Sequence, residues 1–302
     1  MFALCAGESP AASAAGQPAT GKAGSTTGKA GSAAGKAGSA AGKTPQAAAT
    51  KKKSAAQARQ PTPAEKNSAL LAQLGLEVKT IMLDAGHGGK DPGAEGAGIV
   101  EKNFTLDMAK RLGAILRRRG FTVLYTRSGN GYLTLQQRPN AANAKKADLF
   151  ISLHVNANPK PSVRGLEIYY LSEAKTGDAV TVAARENGVS AGKISDLQFI
   201  LTDLMLSSKV KESRRLAETV HRGILNSLKK AGLPAFDNGV RSAPFYVLLG
   251  ARMPAVLVEF GYITNKDDAA SLKSDKYLSR QCEGIADGIE QYRLELAGTA
   301  PQ

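Results

Sequence analysis

Residues 79–89 read KTIMLDAGHGG, a short apolar run that ends in an aspartate and a glycine-rich turn with a histidine. An apolar run of this length, bounded by turn residues, predicts a buried strand at 79–83. Residues 102–119 carry apolar side chains at helical spacing, and Gly120 supplies a stop signal, which together predict a helix. A strand, a glycine-rich turn and a helix in this order are typical of an α/β protein.

The same alternation continues along the chain. Strands are predicted at 121–125, 149–155, 166–171 and 255–260, and helices at 135–146, 178–186, 194–206, 213–230 and 276–296. We therefore predict an α/β fold: a single domain, residues 67–302, with a mostly parallel twisted sheet flanked by helices. Within it, residues 172–212 form an insert between a strand and a long helix.

The first part of the chain has a different composition. Residues 11–60 are almost entirely Ala, Gly, Ser, Thr, Lys and Pro, and the pentapeptide GKAGS begins at residues 21, 28 and 35. Such a segment buries too little apolar surface to offset the entropy of ordering it, so residues 1–66 are predicted to be a disordered basic tail. The apolar and small residues at 1–15 are compatible with the remnant of an export signal.

The charge balance indicates an anionic partner. Lys and Arg number 40 against 26 Asp and Glu, a net charge of +14, which suits nucleic acid, a membrane surface or an acidic wall polymer. Aromatic residues are only 5% and no nucleic-acid motif occurs in the folded part, which disfavours nucleic acid. A nucleic-acid-binding protein that acts through its basic tail remains an alternative. The sequence has no apolar run long enough to span a membrane.

Candidate site residues follow the predicted strands. Two of the three histidines, His87 and His154, stand at strand ends, where ligands bind in open α/β sheets. Glu101 opens the first helix, and Glu259 lies in an apolar strand, where a carboxylate is costly unless it is paired or bound to metal. Two imidazoles and one carboxylate are a known ligand set for catalytic zinc, with Glu259 then available as the base.

Spacing alone leaves other interpretations open. A histidine at a strand end can be structural, Glu101 can serve only the helix dipole, and Glu259 can be a satisfied buried carboxylate. No compact metal motif is present. The third histidine, His221, lies in a predicted helix and is interpreted as a packed or solvent-facing residue.

Four motifs, taken together, carry a family resemblance. DAGHGGKDPGA (84–94), EKN (101–103), SLHVNA (152–157) and VEFGYITN (258–265) occur in this order, and jointly resemble the zinc-dependent N-acetylmuramoyl-L-alanine amidases over most of residues 79–296. The resemblance implies that His87, Glu101 and His154 bind a single zinc ion and that Glu259 is catalytic. It implies hydrolysis, by a zinc-activated water, of the amide between N-acetylmuramic acid and L-alanine in peptidoglycan.

The resemblance also has implications for the cellular location and the regulation of the protein. It implies a periplasmic or cell-envelope location and a role in wall remodelling or daughter-cell separation. The insert resembles, in position and length, the one that covers the active site of larger cell-division amidases until an activator protein displaces it. Glu186 is then a candidate autoinhibitory residue that reaches the zinc's open position; the alternative is an insert that only packs.

The sequence supports three further expectations. Asn103 and Asn156 stand beside two of the ligands and are candidates for contacting substrate or orienting those ligands. A wall-binding module that has lost catalysis is an alternative function, against which the four intact residues His87, Glu101, His154 and Glu259 argue. The protein is expected to be a monomer.

Overall fold

The structure, a computed structural model, describes residues 77–194 and 208–298. The strands are β1 (Thr80–Ala85), β2 (Glu95–Gly96), β3 (Ile99–Val100), β4 (Thr122–Tyr125), β5 (Leu149–Asn156), β6 (Leu166–Leu171), β7 (Asp237–Ala243) and β8 (Ala255–Tyr262). The helices are α1 (Glu101–Arg118), α2 (Gln137–Ala144), α3 (Gly177–Asn187), α4 (Ser208–Lys230), α5 (Tyr246–Leu249), α6 (Lys266–Ser271) and α7 (Asp275–Leu296). The predicted tail, residues 1–66, and most of the predicted helix at 194–206 lie outside the described residues.

The main sheet has six strands in the order β4-β1-β5-β8-β6-β7. The pairs β4–β1, β1–β5, β5–β8 and β6–β7 are parallel, and β6–β8 is antiparallel. The short strands β2 and β3 form a separate antiparallel hairpin ahead of α1. The predicted α/β fold with a mostly parallel sheet is therefore confirmed.

Helices cover both faces of this sheet. Apolar side chains of α1, α4 and α7 pack against one face, and those of α2, α3 and α5 against the other. Strands β5 and β8 lie in the middle and are buried at every position. Polar side chains in these two strands must therefore find partners inside the protein, because burial removes them from water. None of the described helices is long and apolar enough to cross a membrane.

Several elements were not predicted from the sequence. Strand β7 is an edge strand that pairs only with β6 in the described sheet, and most of its residues are partly or fully exposed. Its sequence therefore lacks the apolar run that marks a buried strand. Helices α5 and α6 are too short for a helical period to appear, although Asn265 caps α6 by accepting hydrogen bonds from the amides of Asp267 and Asp268.

The parallel strands bring the candidate residues to one edge. His87 follows the end of β1, His154 lies near the end of β5, and Glu259 is paired in register with His154 across β5 and β8. In a parallel sheet the carboxyl ends of neighbouring strands meet, and ligands bind there. The main candidate site therefore lies at this edge, on the face covered by α2, α3 and α5.

Candidate active site

His87 stands in a tightly held loop after β1. Its φ angle is 59°, a left-handed conformation that is uncommon outside glycine and clusters at functional sites. Arg127 donates to the carbonyls of Ala85 and Gly86, at 2.9 and 2.8 Å, and Arg138 donates to those of Ala85 and His87, at 2.8 and 2.9 Å. Two guanidinium groups therefore fix the backbone that presents His87.

Asp84 stabilises this loop through Arg138, which donates to two carbonyls of the loop. Its carboxylate is fully buried and accepts hydrogen bonds from Thr126, Arg138 and Ser152, at 2.7, 2.8 and 2.7 Å. Burial raises the pKa of Asp84, but the charge of Arg138 and the three hydrogen bonds outweigh burial and lower it below the ordinary value. The carboxylate therefore stays ionised and keeps the Arg138 guanidinium next to the loop carbonyls that it binds.

Glu101, the first residue of α1, has a fully buried side chain. The amide of Ala94 donates to Oε2 at 2.8 Å, and the amide of Val155 donates to Oε1 at 3.1 Å. His154 Nδ1 lies 3.1 Å from the same Oε1. These contacts, from the residue that precedes β2 and from β5, orient the Glu101 carboxylate toward His154.

Glu186, from helix α3, completes a group of four ligand atoms. His87 Nε2 lies 3.3 Å from Glu101 Oε1 and 3.3 Å from Glu186 Oε2. His154 Nδ1 lies 3.1 Å from Glu101 Oε1 and 3.0 Å from Glu186 Oε2. All four side chains offer ligand atoms within 4.8 Å of one another, so the structure brings the three predicted ligands and the predicted blocking residue together.

The donor set and its spacing fit a zinc ion. A tetrahedron with metal–ligand distances of about 2.0 Å has edges of about 3.3 Å, close to the four separations in this cluster. Neither His87 Nε2 nor Glu186 Oε2 makes a hydrogen bond of normal geometry within the described residues, although both atoms are buried. Buried polar atoms are normally satisfied, so these two atoms lack a partner that a metal ion would supply. His87 Nδ1 lies 2.9 Å from Asp91 Oδ2, which orients the ring as carboxylates do for metal-bound histidines.

The electrostatics of the cluster favour a cation. Burial lowers the pKa of His87, but close contacts with Glu101 and Glu186 outweigh it and raise the value to about 11. Burial also lowers the pKa of His154, and the charge of Glu186 together with Glu101 raises it to about 9. Burial and the charge of Glu186 raise the pKa of Glu101, yet both imidazoles hold it at about 2. The two carboxylates therefore attract positive charge, either as protons or as a metal ion.

Two glycines let the ligands approach closely. A Cβ atom on Gly86 would lie 2.4 Å from His154 Cε1, and one on Gly93 would lie 2.6 Å from His87 Cδ2. Gly93 also has a φ angle of 69°, which a larger residue adopts only with strain. The glycine-rich turn is therefore required by the packing of the two imidazoles.

Substituting Gly86 with alanine is expected to weaken zinc binding about 10- to 100-fold, the effect of disturbing groups that orient a metal ligand. The added methyl group would displace the His154 ring, which is only 4% exposed and cannot swing into solvent. Competition with a fluorescent zinc chelator measures this affinity. Gly131→Ala is the control, because a Cβ there meets nothing within 4 Å; equal affinity in the two variants would contradict the prediction.

Glu259 lies beside the cluster but outside it. Its side chain is fully buried, and neither carboxylate oxygen has a hydrogen-bond partner within the described residues. Arg185 Nη2 lies 3.6 Å from Glu259 Oε1. Burial raises the pKa of Glu259 well above its ordinary value; Arg185 opposes this shift and Glu186 reinforces it. Burial therefore disfavours the charged form of this carboxyl.

The other sequence candidates occupy different surroundings. Asn156 is buried at the end of β5 and accepts a hydrogen bond from Arg185 at 2.9 Å. Asn103 is exposed on the first turn of α1. His221 lies on α4, with Nε2 2.5 Å from Asp237 Oδ1, and it does not belong to the four-residue cluster.

Sequence reasoning missed three residues around the cluster: Asp91, Glu167 and Arg185. Asp91 follows His87 by four residues within the quoted motif, so its proximity could have been suspected. Glu167 is a buried carboxylate in β6, paired in register with Glu259. Its position in an otherwise apolar strand is the feature of the sequence that could have identified it as a candidate site residue. Arg185 precedes Glu186, but its contacts with β5 depend on how α3 docks, which local sequence does not specify.

Comparison with known proteins identifies the family. Residues 81–291 match the family model described as N-acetylmuramoyl-L-alanine amidase. The chain is 36% identical over 214 residues to the amidase LytC of Bacillus subtilis, covering 71% of this chain but only 35% of LytC. It is 32% identical over 224 residues to the amidase AmiA of Escherichia coli, covering 71% of this chain and 76% of AmiA.

A solved structure agrees with these sequence matches. The catalytic domain of CwlV, an N-acetylmuramoyl-L-alanine amidase from Paenibacillus polymyxa var. colistinus, is 30% identical to this chain, with a TM-score of 0.54. The superposition covers 71% of this chain and 97% of that domain. The match of the family model, the sequence identities and the shared fold show that this chain belongs to the N-acetylmuramoyl-L-alanine amidase family.

Proposed function

We propose that this protein is a zinc-dependent hydrolase of peptidoglycan that cleaves the amide between N-acetylmuramic acid and L-alanine. The observation that carries the proposal is the cluster of His87, Glu101, His154 and Glu186, with ligand atoms separated by 3.0 to 3.3 Å and Glu259 on the adjacent strand. The family supports the choice of substrate. We further propose a periplasmic or cell-envelope location and a role in wall remodelling or daughter-cell separation.

In the working enzyme, His87, Glu101 and His154 would hold the zinc ion. A zinc ion at this position supplies a Lewis acid that polarises the scissile carbonyl and makes the attacking water more acidic. Asp91 fixes the tautomer of His87 through Nδ1. The amides of Ala94 and Val155 keep the Glu101 carboxylate ionised and correctly aimed.

Glu259 is proposed to move the proton. Its carboxylate takes a proton from the attacking water as the water oxygen bonds to the carbonyl carbon, and returns a proton to the nitrogen as the carbon–nitrogen bond breaks. In the present arrangement burial is the largest cause that raises the pKa of Glu259, and it disfavours the ionised form that acts as a base. Opening of the site to water would lessen this effect of burial and favour the ionised form.

The insert at residues 172–212 is proposed to be regulatory. Glu186 Oε2 takes the fourth position of the ligand set, the one a catalytic zinc site leaves for water and substrate. The cleft that reaches His87 and His154 has a volume of only about 270 Å³, below the range of about 300 to 1,000 Å³ for ligand pockets. A glycan with an attached peptide needs more room, so α3 must move before substrate binds. An activator protein that binds the insert is the proposed trigger.

Digestion of purified peptidoglycan tests the proposed activity. Zinc-loaded protein, with and without the Glu186→Ala substitution, is incubated with purified sacculi, and the soluble products are identified by mass spectrometry. Peptides with a free N-terminal L-alanine, together with peptide-free glycan, are expected from the substituted protein. Intact glycan–peptide linkages after digestion with both proteins would refute the proposed activity.

Zinc binding is expected to release about two protons per ion at pH 7, because metal ligation requires neutral imidazoles. The pKa values of His87 and His154, about 11 and about 9 in the metal-free protein, mean that both rings are protonated at that pH. The apparent zinc affinity should therefore rise by about 100-fold per pH unit below pH 9, and more slowly above it. Calorimetry in buffers of different ionisation enthalpy counts the protons; a count of zero would contradict the assignment of these ligands.

A further inference from the structure

The Arg185 guanidinium occupies a pocket of hydrogen-bond acceptors. Nη1 donates to Asn156 Oδ1 at 2.9 Å and to the carbonyl of Ala157 at 3.0 Å, while Nη2 lies 3.6 Å from Glu259 Oε1. Its remaining partner, Glu186 Oε1, comes from the same helix. The other three acceptors belong to β5, the residue that follows it, and β8, and they do not move with α3. Withdrawal of α3 would leave all three facing an emptied space.

The orientation of the Asn156 amide is fixed by its neighbours. Nδ2 donates to Glu167 Oε2 at 3.2 Å, and Oδ1 accepts from the amide of Ala157 at 2.9 Å. Glu167 is itself held by Tyr169 Oη at 2.8 Å and by Asn238 Nδ2 at 3.2 Å. Because the backbone amide of Ala157 can only donate, the atom that it contacts must be the oxygen of Asn156, and this oxygen faces the site.

We propose that Asn156 Oδ1, the carbonyl of Ala157 and the Glu259 carboxylate form the subsite for the leaving amine of the substrate, and that Arg185 fills it in the closed protein. Glu167 acts through Asn156 and is a positioning residue. The inference rests on the proposed function and specifies which end of the scissile bond lies over β5 and β8. Arg185 and Glu186 then block the site together, the first at the amine and the second at the metal.

The number of donors on nitrogen explains why this arrangement favours reaction. The scissile amide carries a single N–H. Hydrolysis breaks the carbon–nitrogen bond, adds the water oxygen to the carbonyl carbon and transfers both water protons to nitrogen, leaving a carboxylate and an ammonium group. The nitrogen gains N–H donors as the bond breaks, and three fixed acceptors surround it. Contacts that strengthen along the reaction lower its barrier, whereas equal binding of substrate and transition state does not.

Binding of a product analogue tests the subsite without relying on turnover. The probes are the dipeptide L-Ala-γ-D-Glu with a free amino group and the same dipeptide N-acetylated, titrated calorimetrically into zinc-loaded protein. The free amine is expected to bind the Arg185→Ala/Glu186→Ala double variant about tenfold more tightly than it binds Glu186→Ala alone, because Arg185 no longer competes. This comparison leaves the sheet untouched, so it does not depend on the folding of strand variants.

Strand variants in the double-variant background locate the acceptors. Asn156→Leu is expected to weaken binding of the free amine about tenfold while the N-acetylated dipeptide changes little, since the latter carries only one N–H donor. Glu167→Gln should retain binding, because its amide oxygen still accepts from Asn156 Nδ2, and Glu167→Leu should not. With peptidoglycan as substrate, Asn156→Leu should lower kcat more than it changes KM. Thermal unfolding and zinc content confirm that each variant is folded and loaded.

The outcomes separate this inference from the proposed function. Equal affinity for the free and acetylated dipeptides, or no effect of Asn156→Leu in a folded and zinc-loaded protein, would overturn the subsite even if peptidoglycan is cleaved. Binding of the free amine that depends on Asn156, without cleavage of peptidoglycan, would support the subsite and refute the proposed activity.

Discussion

Replacing Glu259 with glutamine is expected to lower turnover of peptidoglycan by about 10²- to 10⁴-fold, the usual contribution of a general acid–base group, while zinc remains bound. Glutamine has the same shape but cannot carry a proton from water to the leaving nitrogen. Glu259 lies outside the ligand cluster, with no hydrogen bond from its carboxylate to any described residue. The substitution therefore removes the proton carrier without removing a ligand.

Zinc content and kcat, measured on the same preparation, distinguish the roles of Glu259. The matched control is Glu95→Gln, since Glu95 is an exposed glutamate in the hairpin that precedes Glu101, and this variant should keep full activity. Near-normal turnover by Glu259→Gln would show that the base is another residue. Loss of zinc from Glu259→Gln would show instead that Glu259 belongs to the ligand set.

Replacing Glu186 with alanine is expected to raise activity in the absence of any activator by about tenfold or more, because a contact worth only about 1.4 kcal/mol shifts an open–closed equilibrium tenfold. Glu186 Oε2 lies 3.3 Å from His87 Nε2 and 3.0 Å from His154 Nδ1. The alanine side chain makes neither of these contacts and cannot occupy the fourth position around zinc. Helix α3 should then leave the cleft more often.

Release of labelled peptide from peptidoglycan over time measures this effect. Asp178→Ala is the control, because Asp178 is an exposed acid on the same helix and its removal tests whether any loss of charge loosens the insert. Activity equal to that of the unmodified protein, in a folded and zinc-loaded Glu186→Ala variant, would show that the insert only packs. Lower activity would show that Glu186 helps to bind zinc in the working enzyme.

The sequence predicted the fold well because the central strands carry strong local signals. Strands β5 and β8 are buried at every position, so their apolar runs were visible, and the parallel order placed His87, His154 and Glu259 at one edge. The weakly apolar edge strand β7 and the short helices α5 and α6 owe their conformation to neighbours and caps, and so left no comparable signal.

The site was predictable only in part. His87, Glu101 and His154 stand in motifs or at strand ends, and the structure brings all three together with Glu186. The supporting contacts were not predictable, because they join residues far apart in sequence. Arg138 binds Asp84 across 54 residues, and Arg185 binds Asn156 across 29. Neither Arg138 nor Arg185 lies in a motif, and their roles depend on how α2 and α3 pack on the sheet.

Anomalous diffraction at the zinc edge, from crystals of the zinc-loaded protein without an activator, tests whether the four-residue cluster binds zinc in the closed state. We expect one strong peak, within about 2.0 to 2.2 Å of His87 Nε2, His154 Nδ1 and oxygens of both Glu101 and Glu186. Such a peak would establish in one experiment that the cluster is a metal site and that helix α3 closes it. A peak bound by other residues, or a metal site at these histidines with Glu186 turned away and α3 still in the cleft, would contradict it.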